Sequence, residues 1–200
     1  MKLAVKDRTT RKPPTAAEIE KQLRYGTAVG LTRTAQDAQE SVVKAIKGTF
    51  NVRSNWTAKS NAKGIRIQSA KKNDTPIKAQ VRTNADWLEL HETGGTKEPK
   101  GKLLAIPTDV IRKTPLAKIT KAKRPKNLPR SFIIDTPSGA VLFQRKYRGK
   151  RSRIEPAYVL EPTAHIKKQS TFYEPIGKVV KRRARKHIDR EIKKAIRTMK

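Results

Sequence analysis

The sequence predicts an α+β fold: a long N-terminal helix, a central antiparallel β-sheet with extended basic loops, and a basic C-terminal helix packing on the sheet. Three observations predict it. Apolar residues recur at helical spacing near both ends of the chain, and short alternating runs bounded by Gly, Asn, Asp and Pro fill the middle. Lysine and arginine (48) far outnumber aspartate and glutamate (17) over 200 residues, a net charge of +31 that concentrates in loops and in the last helix.

The first fourteen residues form a basic arm closed by Pro13-Pro14, and residues 15–200 read as one α+β domain. Thr15-Ala-Ala-Glu18 has capping-box spacing, in which hydroxyl and carboxylate each satisfy a backbone N–H that the helix leaves unpaired. Ile19 and Leu23 share a face, and the pattern resumes with Leu31, Ala35, Ala38, Val42, Ala45 and Ile46 before Gly48 stops it. One helix over 15–47 follows, with Gly26 and Gly30 marking a kink, a break or a close packing contact. Strands are expected at Ile65–Ile67, Ile77–Val81, Trp87–Leu90, Leu103–Ile106, Phe132–Ile134, Ala140–Phe143 and Tyr158–Leu160, with a turn at Gly94-Gly95 and a hairpin turn at Pro137-Ser138-Gly139. Phe172, Ile176, Val180, Ala184, Ile188, Ile192 and Ile196 step by four among lysines and arginines, which makes the last helix the plainest element. Thr171 to Glu174 repeats the capping-box spacing.

Between the strands lie two basic stretches. Residues 110–134 hold Arg112, Lys113, Lys118, Lys121, Lys123, Arg124, Lys126 and Arg130 and no aspartate or glutamate, and Pro115, Pro125 and Pro129 discourage regular structure there. The second stretch carries Arg145, Lys146, Arg148, Lys150, Arg151 and Arg153. A charge of this size has a physical use beside a polyanion or an acidic protein surface, where phosphates are neutralised and counterions released.

Other chemistry is hard to assemble. With no cysteine, disulfide scaffolds, thiolate zinc sites and cysteine nucleophiles are excluded. No stretch approaches the ~20 apolar residues of a membrane span, and the start of the chain has no apolar signal region. His91, His165 and His187 fall in separate elements, and His91-Glu92 lacks the second histidine that a zinc helix needs. Ser138 and Asp135 with a histidine would make a triad only on a strand–turn–helix elbow, which is absent from the pattern. There is no phosphate-cradling glycine loop, zinc finger, helix-turn-helix or aromatic RNA-reading motif. The expectation is a protein that is not an enzyme and takes no cofactor or metal.

One constellation is more specific than charge. Trp87-Leu-Glu-Leu-His91-Glu-Thr-Gly94-Gly95-Thr leads to Lys100-Gly-Lys-Leu-Leu-Ala-Ile-Pro107, and Ile154-Glu-Pro156-Ala-Tyr-Val-Leu160 precedes the last helix. This resembles the tail-completion and neck proteins of long-tailed bacteriophages, in particular the minor tail protein Z group. In them a strand ends in a His-x-x-Gly-Gly turn, a Leu-Ala-Ile-Pro strand follows, and an Ile-Pro-x-Arg-Pro-Phe-Leu stretch comes before the C-terminal helix. Thr93 stands where an aromatic is usual, and Glu155, Tyr158 and Val159 depart from the later stretch. The family-like residues are thus Trp87, His91, Gly94, Gly95, Pro107 and Pro156.

The resemblance implies a structural virion protein assembled in the host cytoplasm, with homo-oligomeric rings, six copies expected, at the head-proximal end of the tail. Such a ring joins the tail terminator and tail tube to the head–tail connector and surrounds the DNA channel, touching DNA without reading sequence and having no membrane partner. The basic loops would then supply the channel or docking contacts. The alternative is a non-enzymatic nucleic-acid-binding protein of ribosomal or nucleoid type.

Overall fold

The computed structural model describes residues 13–52, 54–57, 62–114, 117–137, 139–148 and 153–199. Most of the basic arm, Lys150, Arg151 and Ser138 therefore lie outside the described residues. The α+β class is what the structure has: a long N-terminal helix, antiparallel sheets and a C-terminal helix. No helix among the described residues is long and apolar enough to cross a membrane. The chain gathers into two compact units, one from residues up to Ser41 with Arg66–Arg82 and Ile176 onward, the other from Val42–Ile65 and Thr83–Pro175.

The first unit is built on helix α1 (Ala16–Thr49) as far as Ser41, and the helix runs unbroken past both of its early glycines. Its start is the capping box: Thr15 N donates to Glu18 Oε2 at 2.8 Å, and Glu18 N donates to Thr15 Oγ1 at 3.3 Å. The hydrogen bonds that Thr15 donates to Glu18 Oε2, from its N and from its Oγ1 at 3.0 Å, hold the Glu18 carboxyl below its ordinary range. Gly26 and Gly30 mark close packing. A Cβ on Gly26 would stand 2.7 Å from Ile192 Cα, and one on Gly30 2.6 Å from Ile188 Cα. Both isoleucines belong to helix α3 (Tyr173–Arg197), so the i, i+4 glycines of one helix receive the i, i+4 isoleucines of the other backbone to backbone. Arg183 reaches Asp37 at 2.8 Å, and Arg33 reaches the buried Glu191 at 3.2 Å. Strands β1 (Arg66–Gln68) and β2 (Gln80–Arg82) pair antiparallel, Ile67 opposite Val81.

The second unit holds the larger sheet. Strands β4 (Leu104–Pro107), β5 (Ser131–Thr136), β6 (Gly139–Arg145) and β7 (Ile154–Glu161) form an antiparallel sheet in the order β4-β7-β6-β5. The β5–β6 hairpin lies where the sequence places it. A smaller pair joins β3 (Gly95–Lys97) to β8 (Ala164–Ile166).

Two expectations are corrected. Of the strand expected at Ile77–Val81, only Gln80 and Val81 lie in a strand, β2. Trp87–Leu90 is not a strand but lies in helix α2 (Asp86–Thr93). Leu88 and Glu92, four apart, are the buried positions, Asp86 and Glu89 supply acid to the first turn, and Gly94 N donates to Leu90 O at 2.9 Å to close the end. Gly94 is the C-terminal cap at φ 75°, and Gly95 (φ 143°) opens β3.

The sheet's core is roofed by the basic stretch itself. Ile111 and Leu128, with Ile119 packed alongside, close over Leu142, Ala157, Tyr158 and Leu160. Tyr158 donates its hydroxyl to Lys123 O at 2.6 Å, which pins the middle of the stretch to the sheet. Burial pushes the Tyr158 phenol up, and the neighbouring Arg112 draws it partly down.

Candidate polyanion and assembly surfaces

The basic stretch between β4 and β5 alternates purpose along its length: apolar side chains turn into the core while the lysines stay in water. Two 3-10 turns, Lys121–Lys123 and Pro125–Asn127, carry Lys121, Lys123 and Lys126 exposed. Asn127 Nδ2 closes this pair of turns on Lys121 O at 2.9 Å. Lys113, Lys118, Arg124 and Arg130 are exposed as well, whereas Arg112 is half-buried near Tyr158 with a buried Nε that makes no hydrogen bond.

The second basic stretch meets the end of the first. Arg145 N donates to Arg130 O at 3.1 Å, Arg130 Nη2 donates to Lys146 O at 3.3 Å, and Lys146 N donates to Arg153 O at 3.0 Å. Arg130 holds φ 55°, the backbone conformation that this junction demands. The Arg145 guanidinium lies 5.1 Å over the Phe132 ring, and Phe132 stacks with Phe143 at 6.2 Å. The fold thus brings Arg130, Arg145, Lys146 and Arg153 into one cluster, with Arg148 exposed beyond it. Arg153 also pairs with Glu155 at 3.2 Å.

The opposite face of the sheet is apolar. Ile106, Val159, Val141 and Ile134 stand in register, one from each strand, on the side away from Leu142 and Tyr158. Ile106 and Ile134 are 40% and 41% exposed. Sequence reading treats these residues only as strand formers; the pairing register turns them into a continuous row.

The residues that carry the family resemblance fall into two places. Trp87 and His91 line one side of α2 and join Phe50 and Trp56 in an aromatic cluster, with ring centroids 4.9–5.5 Å apart and edge-to-face. Pro107 and Pro156 lie on the paired strands β4 and β7, where Pro107 stands opposite Tyr158 and the next residue, Thr108, donates its Oγ1 to Pro156 O at 2.6 Å.

His91 is a packing residue with a pH signature. Burial against its aromatic neighbours pushes the imidazole below its ordinary 6.5, and Lys97 adds in the same direction. The folded protein therefore takes this proton later than the unfolded chain does. Stability is full above the ordinary imidazole range and falls as pH drops through 6.5 toward the lower folded value. Denaturant midpoints measured across that range should fall on acidification for the native chain and fall less for His91→Leu; equal slopes would contradict the assignment.

No protein family, curated protein or solved structure matches this chain.

Proposed function

We propose that the protein is a non-enzymatic structural subunit of a long-tailed phage virion, a tail-completion or neck protein whose copies close into a ring around the DNA channel. The observation that carries this reading is the two-sided sheet of the second unit. One face is roofed by a cationic stretch, and the other presents the half-exposed row Ile106–Val159–Val141–Ile134. A cationic face suits phosphates without reading bases. An apolar row left on the surface suits burial against another copy, which in a ring repeats at every subunit.

The two sequence stretches that resemble neck proteins support the same reading by lying side by side. Leu104–Pro107 of the first pairs residue for residue with Tyr158–Glu161, at the end of and just beyond the second. The aromatic cluster around His91 is packed, with no nucleophile or paired carboxylate described in it.

Electron microscopy and light scattering of the purified chain at high salt test the proposal. Salt strips non-specific nucleic-acid binding and leaves apolar association intact. Closed rings that persist at high salt and fall apart in Val141→Asp are expected. A chain that stays monomeric at all salt concentrations and only shifts nucleic acid at low salt overturns the ring and favours the free nucleic-acid-binding alternative.

A further inference from the structure

The first unit carries a cleft that neither the charge pattern nor the resemblance singles out. Tyr25, Ala28, Val29, Thr32 and Gln36 recur by threes and fours on α1 and make its floor. The loop after β1 makes one wall and α3 the other, enclosing about 910 Å³, within the range of small-molecule sites.

The loop wall is fastened to the floor. Ala70 N donates to Thr32 Oγ1 at 3.1 Å, Arg24 Nε donates to Lys72 O at 2.8 Å, and Arg24 Nη2 donates to Asp74 O at 3.0 Å. Its side chains Lys71, Lys72 and Asn73 are left exposed at the cleft. On the α3 side, Arg190 lies 3.1 Å from the buried Glu191, which also holds Arg33 of the floor at 3.2 Å, so both guanidiniums are oriented before any ligand arrives. At the far end, His187 Nε2 stands 3.6 Å from Asp37 Oδ2, and His187 Nδ1 is buried without a hydrogen-bond partner.

We propose that this cleft binds a nucleotide: a flat heterocycle joined through a sugar to phosphate. Tyr25, 52% exposed, and the apolar floor at Ala28 and Val29 offer a stacking surface for the heterocycle. Lys71 and Arg190, from opposite walls, supply cationic donors for phosphate oxygens. Asp37, already paired with Arg183 at 2.8 Å, and His187 close the far end of the cavity, where polar groups of a second, strand-linked nucleotide would lie. Twelve residues separate Tyr25 from Asp37 along α1, about 18 Å at the helical rise, which is room for a nucleotide and the start of the next. A purely basic patch would explain the lysines. It would not explain an aromatic, a pinned pair of guanidiniums and a carboxylate–imidazole pair around one cavity. This assignment stands independently of the virion reading.

Calorimetric titration of the full chain with AMP, adenosine, inorganic phosphate and a deoxyadenosine trinucleotide tests it. AMP is expected to bind saturably, about tenfold or more tighter than either adenosine or phosphate, because stacking and charge pairing act together. Tyr25→Ala should remove the advantage over phosphate and Tyr25→Phe should keep it. Lys71→Ala with Lys72→Ala should remove the advantage over adenosine. Tighter binding of the trinucleotide than of AMP identifies the ligand as a nucleotide within a strand, and equal or weaker binding identifies a free nucleotide. Lys121→Ala, Lys123→Ala and Lys126→Ala together remove three charges, one more than the Lys71/Lys72 change, from the other unit and should leave AMP affinity unchanged. Absence of saturable binding by both AMP and the trinucleotide, or an equal loss from the Lys121/Lys123/Lys126 change, overturns the proposal.

Discussion

Replacing Gly30 by alanine is expected to lower stability by about 1–3 kcal/mol, and the change at Gly26 to act in the same direction. An alanine in a helix interior normally gains about 1 kcal/mol over glycine. Here the added methyl would meet Ile188 Cα at 2.6 Å, Ile188 N at 2.8 Å and His187 C at 3.0 Å, all main-chain atoms that no rotamer change can move. Relief requires α3 to withdraw from α1, which loosens the isoleucine contacts on either side. Gly177→Ala is the matched control, since a Cβ there meets nothing within 4 Å, and it should stabilise by roughly 0.5–1 kcal/mol. Chemical denaturation of the three variants decides the matter. A Gly30→Ala protein as stable as Gly177→Ala would show that the two helices do not approach as described.

The second large effect is expected at Glu92, whose side chain is only 6% exposed. Its Oε1 accepts from Thr171 Oγ1 at 3.1 Å and from Phe172 N, and its Oε2 accepts from Tyr173 N at 3.4 Å. A carboxylate on the first backbone N–H groups of a helix satisfies donors that the helix leaves unpaired and meets the positive end of its dipole. Glu92→Ala leaves those donors and the Thr171 hydroxyl buried without an acceptor, at a cost of about 2–3 kcal/mol. Glu92→Gln keeps one acceptor oxygen and should lose less, about 1 kcal/mol. Amide exchange at Phe172 and Tyr173 should accelerate in both variants, more in the alanine, while exchange in the β5–β6 hairpin changes least. Unchanged exchange at these two amides would remove Glu92 from the role.

These two sites also mark where sequence reading stops. Thr15 and Glu18 are local to each other, and their capping box forms as the spacing predicts, because nothing distant competes for the same N–H groups. At the start of α3 the same spacing recurs in Thr171 and Glu174, yet the carboxylate described on Thr171 and Phe172 comes from Glu92, some eighty residues earlier. The α1 glycines pose the same difficulty. Locally they read equally as a kink or a contact, and only the isoleucines of a helix more than 150 residues away decide in favour of contact. Trp87–Leu90 misleads for a different reason: in a segment of eight residues, Trp87, Leu88 and Leu90 satisfy alternation as well as a helical turn, and the buried pair that decides is Leu88 with Glu92, a carboxylate that no apolar pattern registers. Strand β3, Gly-Thr-Lys, has no apolar alternation, β8, Ala-His-Ile, alternates over only three residues, and the two are held by backbone pairing with each other.

The candidate surfaces divide along the same line. The lysines of 110–134 are evident in the sequence, but the roofing role of Ile111, Ile119 and Leu128 is not, since their partners lie on β6 and β7. The apolar row across the sheet needs the register of four strands before it exists. The cleft on α1 needs three segments brought together and has no motif of its own.

That roof has a consequence for how charge is displayed. A floppy lysine-rich loop would lose backbone freedom on meeting an anion, roughly 1–2 kcal/mol for each residue it had to fix. Here Ile111, Ile119, Leu128 and the Tyr158–Lys123 hydrogen bond have already fixed the backbone during folding. Lys121, Lys123 and Lys126 have only their own side-chain rotamers left to restrict. Point substitutions can therefore retune the charge at little structural cost, whereas shortening the stretch would uncover the sheet beneath it.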